Sequence, residues 1–172
     1  MFSDLKLLKS LDLRFNQINS VERNALVDLE LLEELHLHEN EMTLVDAYTF
    51  QHLRRLRDLD LSFNQIESLE QGSFVGLHHL EELYLDYNRL TCIGSECFRS
   101  LTHLRQLDLS RNPISSLAAN SFCDLENLVE LKMCWNKLKT IDANLFFSLK
   151  ALTTLDLREN LIHGIFFIIY AS

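Results

Sequence analysis

Two histidines and one cysteine are the side chains of this sequence whose types and positions could support metal binding or catalysis. His36 and His38 alternate on one face of a strand, and a His-x-His pair can chelate zinc when carboxylates complete the set. Solvated surface histidines explain the pair more simply, so we predict no metal and no other cofactor. At a ligand-binding site these histidines would instead make binding depend on pH at about 6–7.

Cys134 is the remaining candidate for catalysis, because it is expected on an exposed strand face. The spacing of the sequence does not place a histidine and an aspartate as its partners, so a nucleophilic thiol is weakly supported. We therefore predict that the protein is not an enzyme.

Aromatic and basic side chains favour recognition of another protein. Tyr, Trp and Arg contribute most to the energetic centre of protein interfaces. The aspartate and phenylalanine of "LDLSFN" are equally well explained as common choices at their positions. Two tyrosines, a lysine and the single tryptophan depart from those choices and are the stronger candidates. The predicted contact residues are Tyr84, Asp86, Tyr87, Asp108, Arg111, Lys132 and Trp135.

These side chains belong to a repeat of 24 residues. The pattern Leu-x-x-Leu-x-Leu-x-x-Asn begins at residues 8, 32, 56, 80, 104, 128 and 152, with no insertion between copies. Ten residues beyond each asparagine lies an apolar residue, which is phenylalanine from the second copy to the sixth. The repeated asparagines are Asn16, Asn40, Asn64, Asn88, Asn112, Asn136 and Asn160.

Each copy of the repeat predicts one turn of a solenoid. In "LEELYLDYN", Leu83 and Leu85 alternate with polar residues, which is the period of a strand with one buried face. Strands of successive turns should stack in parallel about 4.8 Å apart and form a concave sheet. The rest of each turn, with apolar positions such as Leu90 and Phe98, should close the coil over a shared core. The phenylalanines should then stack ring on ring.

The asparagine that follows each strand has a predicted structural role. The backbone turns at this point, and a buried N–H or C=O group without a partner costs about 1–3 kcal/mol. An asparagine amide both donates and accepts, so it can pair with backbone groups of its own turn and of the next. Leucine cannot pair with them, and aspartate lacks the donor. We therefore predict a ladder of amides along the solenoid.

The repeat resembles the 24-residue typical class of the leucine-rich repeat family, LxxLxLxxNxIxxLxxxxFxxL, over the whole chain. Toll-like receptors, chaoptin-like adhesion proteins, Slit proteins and small leucine-rich proteoglycans are similar. The resemblance implies an α/β fold, a right-handed horseshoe-shaped solenoid with a parallel concave sheet and an irregular or short-helical convex side. It also implies a non-enzymatic module that binds a protein ligand or co-receptor on that sheet, in an extracellular receptor or adhesion ectodomain. The alternative that stays open is a cytoplasmic scaffold or regulator that binds a protein partner.

Residues 1–172 are predicted to form one repeat array. Residues 1–7 look like the tail of an upstream turn, the seventh copy is incomplete, and the capping modules usual in extracellular members of the family are not found in the sequence. We interpret the chain as a fragment of a longer receptor-type protein. Its uncapped ends, including the apolar run from residue 165 to residue 170, should favour self-association.

Net charge and the length of the apolar runs limit which partners are expected. With 25 acidic and 16 basic residues the net charge is −9, from which we predict no nucleic-acid binding, because that requires a basic surface. No apolar run of the sequence is long enough to insert into a bilayer.

A Cys97–Cys123 bridge between adjacent turns is conceivable, but buried free thiols are favoured for Cys92, Cys97 and Cys123.

Overall fold

Seven short strands, one from each turn, form a parallel sheet on the concave side of a solenoid. The structure is a computed structural model that describes residues 2 and 4–166. Neighbouring strands pair in one register, so that each residue lies beside the residue 24 positions later. The strands are Ser10–Asp12, Glu34–His36, Asp58–Asp60, Glu82–Tyr84, Gln106–Asp108, Glu130–Lys132 and Thr154–Asp156.

The central leucine of each strand attaches the sheet to the core. Leu35, Leu59 and Leu83 are fully buried, and the register places them directly beside one another. The residues on either side of Leu59 and Leu83 point away from the core and are only partly buried. This alternation is the strand pattern predicted from the sequence, and it is confirmed.

The convex side carries three small parallel sheets of two strands each. A 3-10 helix, Ala143–Phe146, is the helical element of the described residues, and the Asp142 carboxylate accepts a hydrogen bond from its Asn144 N–H. The predicted solenoid with an irregular or short-helical convex side is confirmed, whereas the pairing of the convex strands was not predicted. The convex pairs are Leu44–Val45 with Ser68–Leu69, Cys92–Ile93 with Ser116–Leu117, and Thr140–Asp142 with Gly164–Phe166.

A column of phenylalanine rings fills the side of the core away from the concave sheet. Its fully buried members are Phe50, Phe74, Phe98 and Phe122. The ring centroids are 5.9 Å apart for Phe74 and Phe98, and 6.2 Å apart for Phe98 and Phe122. Phe122 and Phe146 continue the stack at 6.4 Å. The ring-on-ring stacking predicted from the sequence is confirmed for these turns.

A ladder of hydroxyl groups runs beside the rings and was not predicted. The Ser121 hydroxyl lies between two backbone carbonyls as a donor, at 2.6 Å from that of Ala118 and at 3.1 Å from that of Ile93 in the preceding turn. Ser73 Oγ makes the equivalent bond to the carbonyl of Val45 at 2.6 Å. Both serines are fully buried. Each hydroxyl thus adds a side-chain hydrogen bond to buried backbone carbonyls; the Ile93 carbonyl also accepts from the N–H of Ala118 at 3.0 Å.

The four cysteines are free thiols. Cys97 is buried at the repeat position that Ser73 and Ser121 occupy in adjacent turns, and burial raises the pKa of its thiol. Cys92 is exposed and Cys123 is partly exposed, so the predicted burial holds for Cys97 alone of these three. The conceivable Cys97–Cys123 bridge is not formed.

Burial decreases toward the last described turn. Leu155 is 38% exposed and Ile165 is 75% exposed, whereas Leu83, at the repeat position of Leu155, is fully buried. Within the described residues no helix has both the length and the apolarity to cross a membrane. Of the apolar run from 165 to 170, residues 167–170 lie outside the described residues, and the predicted self-association stays a prediction.

Candidate recognition surface of the concave side

Asparagine amides connect consecutive turns where each concave strand ends. Asn88 Nδ2 donates to the carbonyl of Leu61 in the preceding turn at 2.9 Å and to that of Leu85 in its own turn at 3.1 Å. Its Oδ1 accepts from the N–H of Ile66, also in the preceding turn, at 2.9 Å. Corresponding bonds are made by Asn40, Asn64, Asn112, Asn136 and Asn160.

The direction of these bonds differs from the sequence-based expectation. Each amide pairs with its own turn and with the preceding one, rather than with the next. Asn88 is only 6% exposed, so the backbone groups that it pairs have no ready replacement by water. Asn16, in the first turn, is exposed and donates to the carbonyls of Leu13 and Arg14 within its own turn.

The residue before each of these asparagines lies just beyond the C-terminal end of its concave strand, so that the seven residues follow one long side of the sheet. These residues have φ between 50° and 59°, the left-handed region that side chains other than glycine rarely adopt. They therefore belong to a turn that follows the strand, and not to the strand itself. We call this set the edge column. Its members are Phe15, Glu39, Phe63, Tyr87, Arg111, Trp135 and Glu159.

Four members of the edge column, Phe63, Tyr87, Arg111 and Trp135, stack into what we call the aromatic ridge. The rings of Phe63 and Tyr87 are nearly parallel, with centroids 4.0 Å apart. The guanidinium carbon of Arg111 lies 5.0 Å from the centroid of Tyr87 and 4.7 Å from that of Trp135. The three aromatic residues remain 41–49% exposed. The ridge therefore presents large apolar side chains to solvent in a fixed order.

Aspartates in the odd-numbered turns bond to their own strand. Asp60 Oδ1 accepts from the N–H and the hydroxyl of Ser62 at 2.9 and 2.7 Å. Asp108 Oδ1 accepts from the N–H of Ser110 at 2.9 Å. The Ser110 hydroxyl in turn lies 3.2 Å from the thiol of Cys134, which is partly exposed. The predicted contact residue Asp108 thus has a local structural role of its own.

In the even-numbered turns a glutamate opens the strand and pairs with the side chain two residues later. Lys132 Nζ lies 3.3 Å from Glu130 Oε2, and the Tyr84 hydroxyl donates to Glu82. Burial, and then this hydrogen bond, raises the pKa of Tyr84. The polar ends of two predicted contact residues are therefore already paired within the protein. The side-chain pairing on the concave surface therefore alternates between odd-numbered and even-numbered turns. This alternation was not predicted from the sequence.

Asp58 and Asp86, near the middle of the concave sheet, have no salt-bridge partner among the described residues. Burial, and then the carboxylate of Asp108, raises the pKa of Asp86 to about 6, with Lys132 opposing the shift. Burial also raises the pKa of Asp58 to about 6, with His36 opposing and Glu82 reinforcing the shift. Two partly buried carboxylates without a salt bridge thus lie in the third and fourth turns, beside the aromatic ridge.

The two histidines singled out from the sequence contact different carboxylates. His38 Nδ1 lies 2.7 Å from Asp60 Oδ2, and His36 Nε2 lies 3.8 Å from Glu34 Oε2. Their ring centroids are 6.5 Å apart. Across the part of the chain that the structure describes, no group of three His, Cys, Asp or Glu residues is arranged to hold a metal ion.

Further side chains join adjacent turns at the start of the repeat, and sequence reasoning missed them. His79 Nδ1 donates to the carbonyl of Arg54 at 2.9 Å, and His103 Nδ1 donates to that of His78 at 2.7 Å. A carbonyl only accepts, so both Nδ1 atoms carry a proton. The two rings stack at 5.5 Å, and Asn127 continues the series one turn later. Polar residues recurring at the period of the repeat were the available signal.

The parallel solenoid and its asparagine-linked turns define a leucine-rich repeat protein. The sequence profile of the leucine rich repeat family matches residues 1–42, 31–90 and 78–138. The chain therefore belongs to the leucine-rich repeat family. No curated protein sequence matches it.

Two solved structures illustrate how far the similarity extends. The crystal structure of a TLR13–ssRNA13 complex contains a chain that is 36% identical, with a TM-score of 0.84 over 91% of this chain and 23% of that one. A leucine-rich repeat protein of Leptospira interrogans is 26% identical, with a TM-score of 0.79 over 95% of this chain and 43% of that one. The present chain thus spans less than half the length of each.

The first of these structures corrects one expectation. From the net charge of −9 we predicted no nucleic-acid partner, yet a chain with the same fold and 36% identity is in a complex with single-stranded RNA. The inference was wrong because net charge is a property of the whole chain. A ligand contacts a local surface, whose charges and stacking groups need not follow the average.

Proposed function

We propose that this array is a non-enzymatic module that binds a protein partner on its concave side, within a receptor or adhesion ectodomain at the cell surface. The observation that carries the proposal is the aromatic ridge beside the unpaired Asp86. Partly exposed Tyr, Trp and Arg side chains are enriched in the energetic centres of interfaces. A fixed stack also loses little conformational entropy on binding. The predicted contact residues all lie on the concave sheet or its edge, which supports the proposal.

The charge distribution favours a basic partner. In the outer turns the aspartates of the concave strands are matched, since Asp12 pairs with Arg14 and Asp156 pairs with Arg158. Near the middle, Asp86 forms no salt bridge within the described residues, and the charge of Lys132 does not outweigh the effect of burial on its pKa. A partner with lysine or arginine side chains would complement this central charge, and association should be faster at low salt.

Single-stranded RNA is the second candidate ligand, favoured by the similarity to the chain in the TLR13–ssRNA13 complex. Bases could stack on the ridge, because every base has an aromatic face. The neighbouring carboxylates would repel the phosphates, whereas they would attract a basic protein. The local charge therefore favours the protein partner.

The experiment is a binding screen with matched surface variants. The purified chain is tested against a panel of secreted and cell-surface proteins and against a 13-nucleotide single-stranded RNA. Each ligand that binds is then titrated on the wild-type chain, on Trp135→Ala and on Phe147→Ala. Phe147 is the matched control because it is 85% exposed on the convex side.

We expect a protein ligand whose affinity falls about 30-fold with Trp135→Ala and is unchanged with Phe147→Ala. A protein ligand that responds to Phe147→Ala alone would place binding on the convex side. RNA binding that is lost with Trp135→Ala, without any protein ligand, would replace the proposal by the second candidate.

A further inference from the structure

The aromatic ridge already holds one guanidinium group. Arg111 lies between the rings of Tyr87 and Trp135, at 5.0 and 4.7 Å from their centroids. A guanidinium is planar, is weakly hydrated and stacks on aromatic faces, so this surface suits arginine in shape and polarity. The intramolecular contact shows how an arginine from another protein could bind at the next position along the ridge.

Trp135 has room for a second contact. Arg111, which belongs to the preceding turn, lies over the ring at 4.7 Å from its centroid, and Trp135 is still 49% exposed. The next member of the edge column, in the following turn, is Glu159. Its φ of 54° is close to the 59° of Trp135, so the two side chains leave the backbone in similar directions. An exposed indole is thus followed, one turn further on, by a carboxylate.

Glu159 forms no salt bridge within the described residues, although its charge acts on that of Arg158. Its neighbour Arg158 pairs with Asp156, with Nη2 2.7 Å from Oδ2, and Lys132 pairs with Glu130 at 3.3 Å. The nearby cations are therefore already engaged. An aromatic face and a free carboxylate are the two groups that bind a guanidinium best, by stacking and by paired hydrogen bonds.

We propose that Trp135 and Glu159 form a docking site for an arginine side chain of the protein partner. The site rests on the proposed function, of which it names the chemistry. The guanidinium stacks on Trp135 as Arg111 does and pairs with the Glu159 carboxylate. Lysine would fit less well, because an ammonium is strongly hydrated and cannot form the planar, bidentate pair.

The opposite end of the ridge provides the control. Phe63 is followed there by Glu39, which is also a member of the edge column. Phenylalanine attracts cations less strongly than tryptophan does, so this end is the poorer arginine site. Glu39→Gln and Glu159→Gln remove the same charge from an exposed turn, and neither side chain contributes to the core.

The test uses the fluorescence of Trp135, the single tryptophan of the chain. The probe is the peptide acetyl-Gly-Arg-Gly-amide, titrated in the millimolar range, with the citrulline and lysine peptides as controls. We expect the arginine peptide to quench the emission saturably and the citrulline peptide to leave it unchanged. Glu159→Gln should weaken the arginine peptide about threefold, and Glu39→Gln should not change its affinity.

Equal quenching by the citrulline peptide, or equal effects of the two Glu→Gln variants, would overturn the arginine site. A protein ligand from the screen that depends on Trp135 but is insensitive to Glu159→Gln would also overturn it, and would leave the proposed function in place. A saturable, Glu159-dependent titration without any protein ligand would support the site and count against the proposed function.

Discussion

Trp135 and Asn136 are adjacent in the sequence, yet they lie in two ladders of opposite character. Asn136 is 6% exposed and hydrogen-bonds to backbone groups of two turns, whereas Trp135 is 49% exposed and stacks on Arg111. The same 24-residue register generates both ladders. All seven turns have asparagine at this position, which is buried in the second to sixth turns, while the position before it holds phenylalanine, tyrosine, tryptophan, arginine or glutamate.

The difference follows from what each position requires. A buried backbone donor and acceptor must be paired at every turn, and asparagine supplies both partners. The preceding residue requires only a left-handed backbone, which fixes where the side chain lies but not what it is. Stability thus constrains the buried ladder, and the exposed edge is free to carry recognition.

The largest effect is expected for Asn88→Leu, which would break the buried ladder. The change removes the acceptor of the Ile66 N–H and the amide hydrogen bonds to the carbonyls of Leu61 and Leu85, so the free energy of unfolding should fall by about 4 kcal/mol. Urea denaturation followed by circular dichroism measures the loss. Asn16→Leu is the matched control at an exposed position, where the loss should stay under about 1 kcal/mol. Equal losses would show that burial does not decide the contribution of the amide.

Ser121→Ala tests the hydroxyl ladder, which should contribute less. The change removes the buried hydroxyl that bonds to the carbonyls of Ala118 and Ile93, and the free energy of unfolding should fall by about 1 kcal/mol. Ser115→Ala is the control, because its hydroxyl is exposed and its bond to Thr91 is long, at 3.5 Å. An unchanged urea midpoint for Ser121→Ala would show that the Ser121 hydroxyl does not stabilise the fold.

Asp86→Asn tests the central charge of the concave side. The folded-state pKa of about 6 is above the ordinary value of 3.8, so folding favours the protonated form. Stability should therefore rise as the pH falls from about 6 to about 4, and this rise should be smaller in Asp86→Asn. At pH 7 the substitution should stabilise the fold by about 1 kcal/mol, after allowance for partial solvent screening. Stability curves of both proteins between pH 4 and pH 7 that differ by a constant would contradict the raised pKa.

Much of the fold followed from spacing in the sequence. Leucines two residues apart predicted the strands, because side chains alternate between the two faces of a strand. The recurrence of Phe74, Phe98 and Phe122 predicted the stacked rings, because equivalent positions of successive turns lie beside one another. The positive φ of the edge column did not follow, since Tyr87 or Trp135 in a left-handed turn contradicts local preference and is imposed by the paired neighbouring turns.

The site was less predictable than the fold. Outward positions could be assigned from alternation, but the pairing of Lys132 with Glu130 depends on side-chain conformations that no period encodes. The hydroxyls of Ser73 and Ser121 were overlooked, because serine at a turn is usually explained by solvent exposure. Binding by the predicted contact residues stays a prediction, since it depends on a partner and not on the chain alone.

The most direct test of this division of roles is the stability of Trp135→Ala beside that of Asn136→Leu. Both proteins are unfolded in urea at pH 7 and followed by circular dichroism, which does not rely on the tryptophan. We predict that Asn136→Leu lowers the free energy of unfolding by about 4 kcal/mol and that Trp135→Ala lowers it by less than about 1 kcal/mol. A loss for Trp135→Ala as large as that for Asn136→Leu would contradict the account, because the indole would then belong to the fold and not to the recognition surface.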